Sequence, residues 1–210
     1  MKKYEMIVAS QLLQCNAVKL SPVKPFQWAS GWRSPIYCDN RKTLSYPEVR
    51  NTIKYSFAEL IKEKFLLTEA IAGVATGAIA MGALVADLLD LPFIYVRPET
   101  KNHGLENLIE GEPMPGQKIV VVEDLISTGT SSLKAVETLR EAGCEVLGMV
   151  AVFTYGFDLA LKNFRNCNCT LYTLSNYEVL VELAVKTGYI LPEHLKTLKL
   201  WRQSPESWGR

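Results

Sequence analysis

KIVVVEDLISTGTSS, residues 118–132, places an apolar run, two carboxylates and a small polar loop in direct succession. The run at 119–122 is too short and too β-branched for a helix, so it predicts a strand buried on both faces. A helical pattern resumes at Leu133, with Val136 and Leu139 inward. Between the two, residues 127–131 offer hydroxyls and backbone N–H groups where a helix N-terminus gathers unsatisfied donors and positive dipole, which favours an anion. The stretch reads as a phosphate cradle at a strand end. A plainer reading is also open, because a parallel α/β sheet sets a strand, an acidic residue and a helix cap in series anyway. Neither GxxxxGK(S/T) nor GxGxxG occurs in the chain, so the two common phosphate loops are out.

The 210 residues are enough for one well-filled α/β domain with small additions, and a single domain over 1–210 is expected. A net charge of +1 with scattered Lys and Arg leaves no electrostatic footprint for nucleic acid. No stretch approaches membrane-spanning length, so no membrane partner is expected. The N-terminal residues carry Glu5 within an amphipathic pattern, unlike a signal peptide. Five cysteines, an odd number, without a secretory signal point to reduced thiols and a cytoplasmic location. Cys167 and Cys169 lack the usual two-residue spacer and a nearby second pair, so incidental thiols are a better account than zinc.

From the N-terminus, residues 5–17 carry Met6, Ala9, Leu12 and Leu13 at helical spacing, an amphipathic helix expected to belong to a cover over the site. Residues 26–41 have no sustained period and read as a turn followed by a short strand. There Ser30, Arg33, Ser34, Asp39 and Arg41 interleave with aromatics, which suits recognition of a flat polar ring and equally suits a minor core. Ser45, Pro47 and Glu48 have a capping-box layout ahead of a helix whose apolar face is Val49, Ile53, Phe57, Leu60, Ile61 and Phe65. Strands are expected at 70–74, 91–97, 118–124, 145–153 and 170–174, with helices at 79–89, 177–186 and 192–202 and a glycine cap at Gly143. This alternation means a mainly parallel sheet with helices on both faces. Thr76 and Gly77, in a small-residue turn between strand and helix, form a second candidate anion loop.

The link between Arg97 and Lys118 is long for a compact domain and rich in charge, Gly and Pro. A closing lid over a reactive intermediate has this composition, with Lys101 and His103 as donors and Gly104 and Gly111 as bending points. So does a hairpin excursion with a solvated charged face.

Four apolar residues, two acidic, two apolar and then a Ser/Thr/Gly loop resemble the phosphoribosyl diphosphate (PRPP) signature of the type I phosphoribosyltransferases, and residues 123–131 fill every position of it. With SGWRSPIYCDNR at 30–41, RPETKNHG at 97–104 and VVEDLISTGTS at 121–131, the chain resembles the orotate phosphoribosyltransferases over nearly its whole length. The resemblance implies a type I phosphoribosyltransferase fold with a small N-terminal hood (1–45) and a flexible lid loop (98–117). It implies Mg²⁺-dependent transfer of ribose 5-phosphate from PRPP to orotate, giving orotidine 5′-phosphate and diphosphate in pyrimidine biosynthesis. By the same resemblance Ser127, Thr128, Gly129, Thr130 and Ser131 bind the 5′-phosphate, with Leu125 and Ile126 in the same motif. Glu123 and Asp124 accept from the ribose hydroxyls while positive charge develops at the anomeric carbon. Arg97, Lys101 and His103 hold the diphosphate, beside the loop of Thr76 and Gly77. Lys101, His103 and Asp124 are the catalytic set, and Lys101 reaches the neighbouring site of a homodimer. Orotate meets Ser127 and the backbone around Ser34 and Tyr37. Mg²⁺ is held mainly by PRPP and water, with no dedicated protein ligands.

Several positions depart from the common bacterial pattern: Ala29 and Pro98 replace lysines, Thr76 and Gly77 replace a Tyr-Lys pair, and Tyr155 replaces an arginine that contacts orotate. They match a subgroup beginning WxSG, here residues 28–31, and read as alternative anion handling. Two rivals follow from the signature alone: a purine or uracil phosphoribosyltransferase, and a non-catalytic regulator on the same fold. The 30–41 segment and the KxHG of the lid disfavour the first. The second calls for a basic surface and a damaged lid, which this chain lacks.

Overall fold

The computed structural model describes residues 2–28, 30–98 and 108–208. In chain order the elements are α1 (Lys2–Gln14), β1 (Val18–Leu20), β2 (Phe26–Gln27), β3 (Arg33–Ser34), β4 (Ile36–Cys38), a 3-10 turn (Asn40–Ser45), α2 (Pro47–Lys64), β5 (Ala70–Val74), α3 (Ile79–Leu89), β6 (Phe93–Val96), β7 (Ile109–Glu110), β8 (Lys118–Ile126), α4 (Thr130–Glu141), β9 (Glu145–Thr154), α5 (Asp158–Asn166), β10 (Leu171–Asn176), α6 (Tyr177–Lys186), a second 3-10 turn (Pro192–His194) and α7 (Leu195–Gln203).

Because side chains alternate along a strand, an unbroken apolar run must find a core on each side. In β8, Val120 and Val122 enter one apolar core with Ile53, Phe57, Val85 and Leu180, while Ile119 and Val121 enter a second with Val136, Leu139, Ala160 and Phe164. Helices α2, α3 and α6 thus cover one face, and α4 and α5 the other.

The sheet has the order β10-β9-β8-β5-β6-β7. All pairings are parallel except β6 with β7, which is antiparallel. The chain leaves β5 in one direction, to β6, and leaves β8 in the other, to β9 and β10. Their carboxyl ends flank the switch point of the sheet, where open α/β sheets leave a crevice for ligands.

Before the sheet, β1 pairs antiparallel with β4 and β2 with β3. Residues 26–41 are therefore a hairpin followed by a strand, where the sequence predicts one turn and one strand. Helix α1 starts earlier than its pattern predicts, and Met6 is exposed while Val8 is buried. It packs on the body: Ser175 Oγ on β10 donates to the Glu5 carbonyl at 2.9 Å. The capping box is also corrected. Ser45 closes the 3-10 turn and Tyr46 is the N-cap of α2, with no side-chain cap bond among the described residues, because a tyrosine ring holds its oxygen too far from the backbone to reach the first-turn amides. The expected helix at 192–202 divides into the second 3-10 turn and α7. Among the described residues no helix is long and apolar enough to cross a membrane.

Trp201 of α7 is fully buried, with the rings of Phe157, Tyr177, Tyr155 and Trp28 at 5.4, 5.4, 5.6 and 5.7 Å. The aromatics of the N-terminal hairpin are in this respect a core, and α7 is what completes it.

Candidate active site

Strand β8 outruns its neighbour β5. Their ladder ends at Gly73 opposite Val122, while β9 stays paired as far as Thr154 opposite Ile126. Glu123 and Asp124 stand where the sheet opens, beside the turn that carries Thr76 and Gly77. As adjacent residues of a strand they face opposite sides. Glu123 turns toward α4, where Oε2 accepts from Ser132 Oγ at 2.8 Å and Oε1 accepts from the Asp124 N–H at 2.9 Å. It is 5% exposed, and burial, followed by the negative field of Asp124, raises its carboxyl well above the usual range. Asp124 lies over Gly77. A Cβ on Gly77 would stand 2.5 Å from Asp124 Cγ and 2.7 Å from Oδ1, so the missing side chain is what admits the carboxylate.

Beyond the carboxylates the loop is supported from below. Gly129, at φ +80°, is the N-cap of α4, and a Cβ there would lie 2.7 Å from the Phe164 ring of α5. Asn163 Nδ2 on α5 donates to the Thr128 carbonyl at 3.0 Å. The helix begins at Thr130, earlier than Leu133, because Thr130, Ser131 and Ser132 form its first turn. The amide groups of such a turn have no acceptor within the helix.

These groups meet at a cavity of about 400 Å³ lined by Thr76, Gly77, Glu123, Asp124, Leu125, Ser127, Thr128, Gly129 and Ser131, together with Cys38, Asp39 and Arg41 from the N-terminal segment. A larger groove of about 950 Å³ runs along α6, α7 and the C-terminal residues and meets the loop only at Thr128. The smaller cavity holds the paired acids and the candidate anion loop, and is the candidate chemical site.

Other expected residues stand elsewhere. Ile126 points into the core, and its carbonyl accepts from Thr154 Oγ1 and the Tyr155 N–H. Ser34 is fully buried, its hydroxyl donating to the Ile36 carbonyl at 2.8 Å and accepting from the Ile36 N–H. Tyr37 is tilted against Phe26 at 5.7 Å. Arg97, at the end of β6, pairs with Glu110 of β7 at 3.5 Å. Thr130 is exposed, its hydroxyl 3.1 Å from that of Thr128. Lys101 and His103 lie outside the described residues. Position 155 is taken up by packing: Tyr155 is 2% exposed, the Trp28 ring lies 5.1 Å away, and burial raises its hydroxyl well above the usual range.

The N-terminal segment contributes more than its residue types foretell. Arg41 Nε donates to Asp39 Oδ1 at 2.7 Å, which holds the Asp39 carboxyl below its usual range. Cys38 is in the same wall. Burial first, then the nearby Asp124 and Asp39, push its thiol well up, so it stays neutral. Ser132 and Asn40 carry no motif signal of their own; one is the last small residue of a loop, the other one polar letter in YCDNR.

Asp124 offers hard carboxylate oxygen to the cavity, while Asp39 is engaged by Arg41. Among the described residues no three His, Cys, Asp or Glu side chains converge on a metal position. The donor set suits an oxygen-seeking divalent ion whose remaining ligands come from substrate oxygens and water.

Residues 45–186 match the family described as "Phosphoribosyl transferase domain". The orotate phosphoribosyltransferase of Porphyromonas gingivalis is 60% identical over 209 residues, covering 100% of both chains. The crystal structure of orotate phosphoribosyltransferase from Aeropyrum pernix superposes with a TM-score of 0.76 at 31% identity, over 87% of this chain and 99% of that one. The structure of Leishmania donovani UMP synthase gives a TM-score of 0.79 at 25% identity, over 94% of this chain, which spans 42% of that longer protein. Identity of this order from end to end, on the type I phosphoribosyltransferase fold with its signature at the switch point of the sheet, places the chain in the orotate phosphoribosyltransferases, a family of transferases.

Proposed function

We propose that this enzyme transfers ribose 5-phosphate from PRPP to N1 of orotate, in the pyrimidine pathway. The bond from the anomeric carbon to diphosphate oxygen breaks, the bond from that carbon to N1 forms, and the N1 proton leaves orotate. The observation that carries the reading is one shared cavity with an anion loop, the Asp124 carboxylate and the Thr76–Gly77 turn on its walls.

Each part has a task. Residues 127–131 receive the 5′-phosphate on backbone amides and hydroxyls at the N-terminus of α4. Asp124 takes the ribose hydroxyls from the open side, and its charge favours the cationic anomeric carbon of the transition state. Glu123, already accepting from Ser132 and the Asp124 amide, contributes remaining lone pairs and holds its neighbour in place. The turn at Thr76 and Gly77 receives the departing diphosphate, with Lys101, His103 and Arg97 from the lid side. Mg²⁺, carried mainly by PRPP and water, neutralises diphosphate charge when bound. Orotate lies toward the N-terminal segment and Ser127. We place the enzyme in the cytoplasm as a homodimer in which Lys101 serves the partner's site.

Purified protein with PRPP and Mg²⁺ is expected to consume orotate, followed as loss of its ultraviolet absorbance. Untouched orotate alongside consumption of hypoxanthine, adenine or uracil would overturn the assignment.

A further inference from the structure

Strand β8 loses β5 as a partner after Val122, yet the next backbone groups are not left open. The Asp124 N–H donates to Glu123 Oε1 at 2.9 Å, and the Asp124 carbonyl accepts from Asn40 Nδ2 at 2.5 Å. Asn40 is 3% exposed and fully engaged. Its Oδ1 accepts from the Cys38 thiol at 3.3 Å, and its carbonyl accepts from Thr43 Oγ1 at 2.6 Å. A residue whose own N–H and C=O are both held has restrained φ and ψ, and these set the direction of the Asp124 side chain over Gly77.

We propose that Asn40 is a positioning residue for Asp124, aiming the carboxylate at the anomeric carbon without itself touching the reacting atoms. The inference rests on the functional reading above and adds a residue to it. It also explains a polar side chain buried at a point where the sheet has no strand to offer. Such a bond replaces a missing ladder partner.

The test is a double-mutant cycle of Asn40→Ala and Asp124→Ala, with kcat and both KM values measured and thermal melts recorded for every variant. Loss of a buried partner is expected to lower kcat about tenfold in Asn40→Ala, with KM for orotate changed less than about twofold. In the Asp124→Ala background, Asn40→Ala is expected to change kcat by less than about twofold, because the group it aims is gone. Multiplicative losses in the double variant, or a rise in KM at unchanged kcat, would overturn the proposal. If Asn40→Ala does not fold, Asn40→Asp keeps the volume but exchanges the donor for an acceptor, and the same outcomes apply. Wild-type protein that does not turn over orotate would instead remove the functional reading, so the two failures are separable.

Discussion

Two adjacent carboxylates in one strand end in different environments, and that difference can be measured. Glu123 has a raised pKa in the folded protein, so the fold binds its proton more tightly than the unfolded chain does. Its contribution to stability is therefore fully present below the unfolded value, near 4.3, and is lost as the pH rises through the folded value. Glu123→Gln, which mimics the protonated form, is expected to exceed the wild type in denaturant stability at pH 7, by a margin that shrinks as the pH falls toward about 4.3. A margin independent of pH would contradict this account. Gly77 makes the complementary case. Its substitution by alanine displaces a flexible carboxylate tip rather than backbone, so little stability is at stake. Gly77→Ala is expected to lose about tenfold or more in kcat/KM, since a misplaced charge weakens transition-state stabilisation, with a melting temperature close to the wild type. A large fall in melting temperature would show that the turn, not Asp124, was disturbed.

Among the elements, α7 is the one whose role was least legible. Residues 192–202 read as a helix, and nothing in that pattern says that Trp201 is the centre of a ring of aromatics drawn from the link between β9 and α5, from α6 and from the N-terminal hairpin. Truncation to Ala should cost about 3–5 kcal/mol, the range for a fully buried tryptophan, measured by denaturant unfolding. Among the described residues Trp201 Nε1 is buried without a hydrogen-bond partner. Trp201→Phe therefore gives up packing but no bond, and should cost well under the alanine variant. Equal losses for the two would point to a polar contact of the indole. The elements nearest the chemistry were legible from their own letters. Helices α3 and α6 fall at the expected residues, and β5, β8 and β9 within two, because apolar runs and small-residue turns are local signals. The N-terminal hairpin was not, since strands of two residues are defined by their partners and not by a period.

At the scale of the whole molecule, the proposed exchange of Lys101 between subunits has a direct test. Lys101→Ala and Asp124→Ala proteins, each strongly impaired but with measurable residual turnover, mixed in equal amounts and allowed to exchange, should recover about a quarter of wild-type activity, because half the dimers are hybrids with one intact site each. No recovery after confirmed exchange would sink the shared-site arrangement. The sequence alone determined the alternation of strands and helices and the placing of two acids and a small polar loop at a strand end, for these depend on periods and spacings within a few residues of each other. Only the tertiary structure decided how KIVVVEDLISTGTSS is used. It ends β5 early, turns Glu123 and Asp124 to opposite faces, buries Ser34 and Ile126 away from the cavity, and brings Asn40 to a carbonyl 84 positions along the chain. Contacts of that kind are set by which strand stops first and which segment fills the gap, and no local run of letters records that.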